Sequence, residues 1–530
     1  MSAQFNIRRA SGRMVSVLQR ELDLPRFVAA TLVGRGIDTP KAARAFLYPS
    51  FKHDWLDPYT IPGLGDVVSA LEDAIRKGRR ILVFGDFDLD GISATTILTR
   101  GLRELGVDAV PFIPKRFEEG YGITASALER VKTYAPDFLV TVDCGIACKA
   151  EAKLVQAAGI DVAITDHHEP TELVPEGVPV ADPKIDPDCP SCVLAGAGVA
   201  LKLVQALGGR FGKPYLWRDF VDFATLGTVA DLMPMLGENR PLVIEGIKMM
   251  NKAPRPCIAA LLETSGASDK PLTSTNLSFS LIPRLNAAGR MGNADLALNL
   301  LMSDDFDEAY RLASELEGLN DQRRAIEAEL SEIAKVQAAE IYHGQRALVV
   351  AGEGWHEGVK GIVASRLVGI YGVPCILMTI DGDEARGSGR SVGRVNLFAA
   401  VESASDLLVR FGGHEAAVGV TLKTKDIPAF AEALCAYLDK LPEDDFHPLI
   451  EIDACVDLDE LTLDTVGALK QVAPFGQENP TPCFLARDVL LTHCRAVGAE
   501  KNHFSCTLTN GRTSISGIMF HCTDIDMLMT

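Results

Sequence analysis

Between residues 80 and 165, short apolar runs alternate with longer amphipathic stretches. In Arg80-Ile81-Leu82-Val83-Phe84-Gly85 a short apolar run, Ile81 to Phe84, ends at a glycine and a burst of aspartates. A helical pattern follows over 92–105, a strand over 108–113, a helix near 124–133 and a strand over 138–142. A further helix over 149–158 and a strand over 161–165 complete the series. Apolar strands without polar alternation, separated by helices of about ten residues or more, predict a parallel sheet covered by helices on both faces.

The rest of the chain divides by the same criterion. Residues 1–75 read as a mostly helical N-terminal extension, and 76–303 as the α/β domain. Over 304–342 the sequence is rich in Ala, Glu, Leu and Arg with almost no breakers, which predicts one or two long connecting helices. A second α/β pattern opens at Arg346-Ala347-Leu348-Val349-Val350 and fills 343–445. Short strand-like runs punctuated by Gly, Asn and Pro occupy 446–530: 449–456, 483–491, 503–509 and 513–520. They predict a small β-barrel. The end at Asp526-Met527-Leu528-Met529-Thr530 carries the expectation that this barrel is incomplete.

A chain of 530 residues is too long for one core. With 47% apolar and 23% charged residues it has the profile of a globular enzyme. No apolar run is long enough to span a bilayer, and the arginine-bearing N-terminus lacks the apolar stretch of a secretory signal, so a cytoplasmic protein without membrane contact is expected. The twelve cysteines form no framework; Cys189-x-x-Cys192 stands alone, where structural zinc calls for further ligands. The net charge of −19 weakens a nucleic-acid reading without deciding it, because clustered metal-binding carboxylates contribute to that sum.

The chemistry is concentrated in acids at the ends of apolar stretches. Gly85-Asp86-Phe87-Asp88-Leu89-Asp90-Gly91 places three carboxylates within five residues, a repulsion that cations relieve. Thr141-Val142-Asp143-Cys144-Gly145 and Ile164-Thr165-Asp166-His167-His168 repeat the form, and Leu226 to Asp231 ends a fourth apolar stretch in an aspartate. Read as parallel strands, all four segments deliver their acids to one sheet edge. Carboxylates mixed with imidazole suit Mn²⁺ or Mg²⁺, and more acids than one ion can use imply two divalent cations and phosphoester or phosphoanhydride hydrolysis.

Asp166-His167-His168 resembles the tripeptide of the DHH phosphoesterase family, and Asp88-Leu89-Asp90, Asp143 and Asp231 resemble its other metal motifs. The resemblance implies that Asp88 and Asp143 hold one ion and that Asp90, Asp143, His167 and Asp231 hold the other. It makes Asp143 the bridge, sets His168 against the scissile phosphate, and gives Asp86 a part in orienting water or a ligand. Further stretches resemble the RecJ-type branch. They are Ile282 to Arg290, Leu319-Asn320-x-x-Arg323-Arg324, Gly354 to Gly358, Gly361 to Arg366, Gly412-Gly413-His414 and Pro474 to Pro480. This likeness implies a DHH catalytic domain, a DHHA1 substrate-binding domain and an OB-like barrel.

For such a chain the expected activity is degradation of single-stranded DNA from its 5′ end, releasing 5′-mononucleotides, in DNA repair and recombination. Arg116, Arg290, Ser388 and Arg390 are the candidates for the 5′-phosphate, since arginine matches phosphate geometry and a hydroxyl among glycines suits a phosphate cradle. His414 is placed near the nucleotide path. Tyr121 suits stacking on a base, and equally an ordinary half-buried packing role. Trp355 reads as a packing residue at the domain seam. A helicase and a single-strand binding protein are the partners implied. A DHH phosphatase acting on short oligoribonucleotides, cyclic dinucleotides or pyrophosphate is the enzymatic alternative, and a catalytically dead DNA-binding scaffold is the non-enzymatic one.

Overall fold

The computed structural model describes residues 4–499, 501–522, 525 and 528; Asp526, Met527, Met529 and Thr530, on which the expectation of an incomplete barrel rests, lie outside them. The chain forms two compact units, one of residues 50–448 with 476–479, the other of 4–49 with 449–475 and 480 onward.

The first unit is organised on five strands: β1 (Ile81–Phe84), β2 (Ala109–Phe112), β3 (Phe138–Thr141), β4 (Asp161–Thr165) and β5 (Val180–Ala181). They lie in the order β2-β1-β3-β4-β5 with every pair parallel. Ile81, Val83 and Val140 pack into a core with the helices Leu64–Arg76, α1 (Leu89–Glu104), α2 (Gly196–Arg210) and α3 (Val221–Ala230). Leu82, Phe84 and Leu139 point the other way, onto the helices Ala125–Lys132 and Lys149–Ala157. Burial on both faces is why β1 and β3 read as continuous apolar runs. From β1 the chain passes to β2 on one side and then to β3 on the other. The switch point therefore lies between β1 and β3, where a ligand crevice forms in open parallel sheets.

Two later elements complete this unit. The helix α4 (Ile282–Arg290) precedes one 36-residue helix, α5 (Phe306–Ile341), in the region expected to hold one or two. A second sheet follows, with β6 (Leu348–Glu353), β7 (Cys375–Asp381), β8 (Glu384–Arg390), β9 (Leu408–His414) and β10 (Ala417–Lys423) in the order β9-β10-β8-β7-β6. Only β6 and β7 are parallel. The helix α6 (Lys360–Tyr371) packs on β7 and β8. Trp355 is buried in the core formed by α6, β6 and β7.

In the second unit, Gln4–Ile7 pairs in parallel with Leu449–Ile452, Phe27 meets Phe484 edge-on at 5.3 Å, and Arg35 holds the buried Asp453 at 2.7 Å. Residues 4–49 thus belong with the C-terminal strands, whereas 50–75 belong to the first unit. Leu490–Val497, His503–Thr509 and Ser514–Met519 form an antiparallel meander, and Ala454–Val456 pairs with Phe484–Ala486.

Candidate active site

Strand register does most of the assembly. Phe84 pairs with Thr141, and Thr141 with Ile164. Asp86, Asp143 and Asp166 each lie two residues beyond that row, so all three leave the sheet at its carboxyl edge. Asp88 caps α1, its carboxylate accepting from the backbone N–H groups of Asp90 at 2.9 Å and Gly91 at 3.1 Å. That cap starts the helix at Leu89 rather than Ile92 and places Asp90 in its first turn. The fourth acid arrives by another route. Asp231 does not end a strand, as the apolar stretch before it suggests; it is the C-cap of α3. Every residue of α3 before Ala230 is buried, which erases the helical period and makes the segment read like a core strand.

Around His167 the donors converge. Its Nε2 lies 3.0 Å from Asp143 Oδ1, 3.6 Å from Asp90 Oδ2 and 3.6 Å from Asp231 Oδ2. Three sets could each hold a metal ion, their ligand atoms within 4.8 Å of one another: Asp90 with His167 and Asp231, Asp86 with Asp88 and Asp143, and Asp143 with His167 and His168. Asp143 is common to two of them. The carboxylate of Asp90 is aimed by the N-terminus of α2, accepting from Gly196 N–H at 2.7 Å and Ala197 N–H at 3.0 Å.

This cluster fits divalent cations on its own terms. Asp86 Oδ1, Asp143 Oδ1 and His167 Nε2 are buried and make no hydrogen bond. Buried charges without partners are among the most costly features a fold can carry, and coordination removes that cost. Burial and the neighbouring carboxylates push Asp90 and Asp143 well above the usual range, and push Asp231 up to about 7. Burial and the charge of His168 push His167 down to about 3, which keeps its imidazole neutral.

Asp166 is turned away from this cluster. Its Oδ2 accepts from Ile146 N–H at 2.9 Å, while Oδ1 accepts from His167 N–H at 2.7 Å and lies 2.7 Å from His168 Nδ1. Burial opposes protonation of His168, but the bond to Asp166 together with the charges of Asp166, Asp231 and Asp90 outweighs it and carries the imidazole up to about 9. Tyr121, exposed, stands edge-on to His168 at 6.4 Å and to Phe87 at 6.2 Å.

Beside the carboxylates lies a cationic region. Arg116 stacks over Phe87 at 4.9 Å, Arg290 donates to the Gly358 carbonyl at 3.3 Å, and Arg390 donates to the Gly389 carbonyl at 2.8 Å. Burial lowers all three, and Arg290 is lowered further by Arg116, Arg323 and Arg390, so four guanidinium groups share one field. Arg116 and Ser388 line a cavity of about 470 Å³ with Phe117, His356, Glu357 and Arg386. His414 is not among its lining residues. It is exposed at the end of β9, and β10 separates it from Arg390.

Arg323, Arg386 and Lys360 carry no role in the sequence reading. Arg323 donates to Asn320 Oδ1 at 2.8 Å and pairs with Glu327, which also holds Arg366. Lys360 is fully buried, paired with Glu357 at 2.7 Å and bonded to the Arg386 carbonyl. The spacing of Asn320, Arg323 and Glu327 on one helical face was the available signal. Cys189 and Cys192 bond separately to the carbonyls of Thr60 and Pro183, at 3.5 and 3.2 Å, as unlinked thiols do.

Residues 80–228 match the DHH family, N-terminal domain; 344–440 match the DHHA1 domain; 452–528 match the RecJ OB domain. A single-stranded-DNA-specific exonuclease RecJ from Salmonella typhimurium is 33% identical, over 94% of this chain and 89% of that protein. The chain belongs to the RecJ family. A RecJ from Bacillus subtilis is 36% identical over 98% of this chain but only 66% of its own length, so the chain spans about two thirds of that relative. The crystal structure of RecJ from Thermus thermophilus in complex with Mn²⁺ superposes with a TM-score of 0.84 at 31% identity, covering 98% of this chain and 74% of that one. The RecJ architecture of DHH domain, DHHA1 domain and C-terminal OB domain is therefore the fold of this chain, as its motifs implied. Among the described residues no helix is long and apolar enough to cross a membrane.

Proposed function

We propose that this chain is a metal-dependent exonuclease that degrades single-stranded DNA from the 5′ end and releases 5′-mononucleotides. The observation that carries the reading is the convergence of Asp90, Asp143 and Asp231 on His167 Nε2, beside a cavity lined by Arg116 and Ser388. Asp90, Asp143, His167 and Asp231 would hold one divalent cation, and Asp86, Asp88 and Asp143 the other, Mn²⁺ or Mg²⁺. When bound, such ions supply a nucleophilic water at neutral pH and offset the charge that develops on the phosphodiester.

The protein's own groups do the positioning. Asp166 fixes the ring of His168 so that its free edge faces the scissile phosphate. Arg116, Arg290 and Arg390, with Arg323 behind them, receive the 5′-phosphate together with the Ser388 hydroxyl. Tyr121 offers a stacking face beside His168, and His414 lies further along the strand's path. The C-terminal unit, by its match to an OB domain, is a further single-strand contact. A helicase and a single-strand binding protein remain its proposed partners, and DNA repair and recombination in the cytoplasm are the setting we propose for this activity.

The test is digestion of a 3′-labelled single-stranded oligonucleotide with Mn²⁺ or Mg²⁺, 5′-phosphorylated or 5′-hydroxyl. A ladder shortening from the 5′ end is expected, absent with Asp143→Ala. Arg390→Ala should lose most of the preference for the phosphorylated end. Hydrolysis of dinucleotides or pyrophosphate without digestion of DNA would move the chain to the phosphatase branch.

A further inference from the structure

Leu232 occupies an unusual place. The helix α3 ends at Asp231 in a two-bond cap: Leu232 N–H reaches the Val229 carbonyl at 3.4 Å, and Met233 N–H reaches the Thr228 carbonyl at 3.2 Å. That cap puts Leu232 in the left-handed region, at φ 55°, where glycine or asparagine sits without strain and leucine does not. Packing offers no compensation, since Leu232 is 68% exposed. Neither the backbone nor the core accounts for a leucine here. What the position does have is a neighbour, because the carboxylate of Asp231 lies 3.6 Å from His167 Nε2. A strained residue with its apolar side chain exposed, next in the chain to a candidate metal ligand, fits a substrate contact.

We infer that Leu232 is a nucleoside-contacting residue, packing its side chain on the base of the nucleotide that lies over the metal cluster. The inference rests on the nuclease reading and deepens it. An isobutyl group has nothing to offer a phosphate but covers a base face without reading its edge, which suits a strand of any sequence. Tyr121 provides an exposed ring beside His168, and Leu232 is the exposed apolar residue that follows Asp231, the acid 3.6 Å from His167. The cap holds the backbone of Leu232, so its left-handed conformation does not depend on the substrate.

The experiment compares wild type, Leu232→Gly, Leu232→Asn and Leu232→Met on 3′-labelled, 5′-phosphorylated oligonucleotides. One substrate is intact, and the others carry an abasic tetrahydrofuran residue as the first or second nucleotide. Wild type should lose kcat/KM at one of the two abasic positions. Leu232→Gly and Leu232→Asn should raise KM on the intact strand roughly threefold to tenfold, the value of one buried aliphatic group, and should show no further loss on the abasic strand. Leu232→Met should restore the wild-type pattern. Melting temperatures of the Gly and Asn variants should equal or exceed wild type, because both residues suit the left-handed cap. An unchanged KM in the Gly and Asn variants, or an abasic penalty that persists in them, overturns the inference while leaving the nuclease intact. Lower melting temperatures in both variants overturn its premise of strain. A wild type that digests no oligonucleotide removes the nuclease reading itself.

Discussion

Gly196 stands against Asp143 with no room for a methyl group: a Cβ on Gly196 would lie 2.4 Å from the Asp143 Oδ1 atom and 2.5 Å from its Cβ. The same glycine donates its N–H to Asp90 at 2.7 Å, so one backbone position aims two of the candidate ligands. Asp143 cannot easily yield, since its backbone is already left-handed at φ 61°. Gly196→Ala should therefore displace the carboxylate while the helix it starts still forms. Activity on single-stranded DNA should fall about 100-fold or more, the usual consequence of misplacing a reacting group by about an ångström. Far-UV circular dichroism should be unchanged. Gly227→Ala should also lower activity, its Cβ meeting Asp90 Oδ1 at 2.3 Å, but with a loss of stability, because Ala197 Cβ would lie at 2.6 Å and force α2 from α3.

Removing a carboxylate from the cluster should have opposite effects with and without metal. Burial raises the proton affinity of both Asp90 and Asp143, and neighbouring carboxylates add to it, Asp90 and Asp88 for Asp143, Asp231 and Asp88 for Asp90. In EDTA, Asp143→Asn should melt at or above the wild-type temperature. Mn²⁺ at about 100 times its Kd should stabilise wild type by about 2.7 kcal/mol for one site, and the variant by clearly less. Thermal melts in the two conditions decide it. A variant less stable than wild type in EDTA would mean that Asp143 holds the fold by contacts and not the metal by charge.

Much of this site is legible in the sequence because the strand ends are local features. Apolar runs such as Ile81 to Phe84 and Phe138 to Thr141 state their own burial, and the acids two residues beyond them follow from register. Asp231 falls in the right cluster for the wrong geometric reason, because a helix buried on all sides carries no period to read. Arg323, although it falls in a quoted motif, and Lys360 receive no role from the sequence, because a charged residue on a helix is solvated far more often than buried; their partners Glu327 and Glu357 are local, but the burial of the pairs comes from the fold. The pairing of Gln4–Ile7 with Leu449–Ile452 joins opposite ends of the chain, and nothing local in either segment specifies it.

Asp182 should make stability fall with rising pH. It is fully buried, its Oδ1 accepts from Lys184 N–H at 2.7 Å, and its Oδ2 has no hydrogen-bond partner. Burial, chiefly, pushes it up to about 7 from an ordinary value of 3.8. The folded chain therefore holds a proton that the unfolded chain has released, and stability is lost as pH rises from about 4 through about 7, by at most ~1.4 kcal/mol per pH unit. Asp182→Asn keeps the bond to Lys184 N–H without the charge. The difference in urea midpoint between variant and wild type should be small at pH 4 and favour the variant at pH 8. A difference independent of pH would refute the titration.

Lys202 and Glu238 form a fully buried ion pair on the scaffold behind the site. Lys202 also donates to the Leu56 carbonyl at 2.6 Å and lies 3.7 Å over the ring of Trp55. Glu238 accepts from Ser191 Oγ at 2.6 Å and from Leu56 N–H at 2.8 Å. Burial holds the Lys202 ammonium down to about 8 against the pull of Glu238, so the pair exists at neutral pH but is strained by its own desolvation. Such a pair adds little over an apolar one, yet breaking it strands a charge. Lys202→Met should cost about 3–5 kcal/mol in urea unfolding. Adding Glu238→Gln should recover part of that loss, because the uncompensated carboxylate is gone while its acceptor oxygen remains for Leu56 N–H. Recovery would identify the stranded charge as the cause. If the two losses instead add, the damage lies in packing against Trp55, and Lys202 acts there as a hydrocarbon stem and not as a cation.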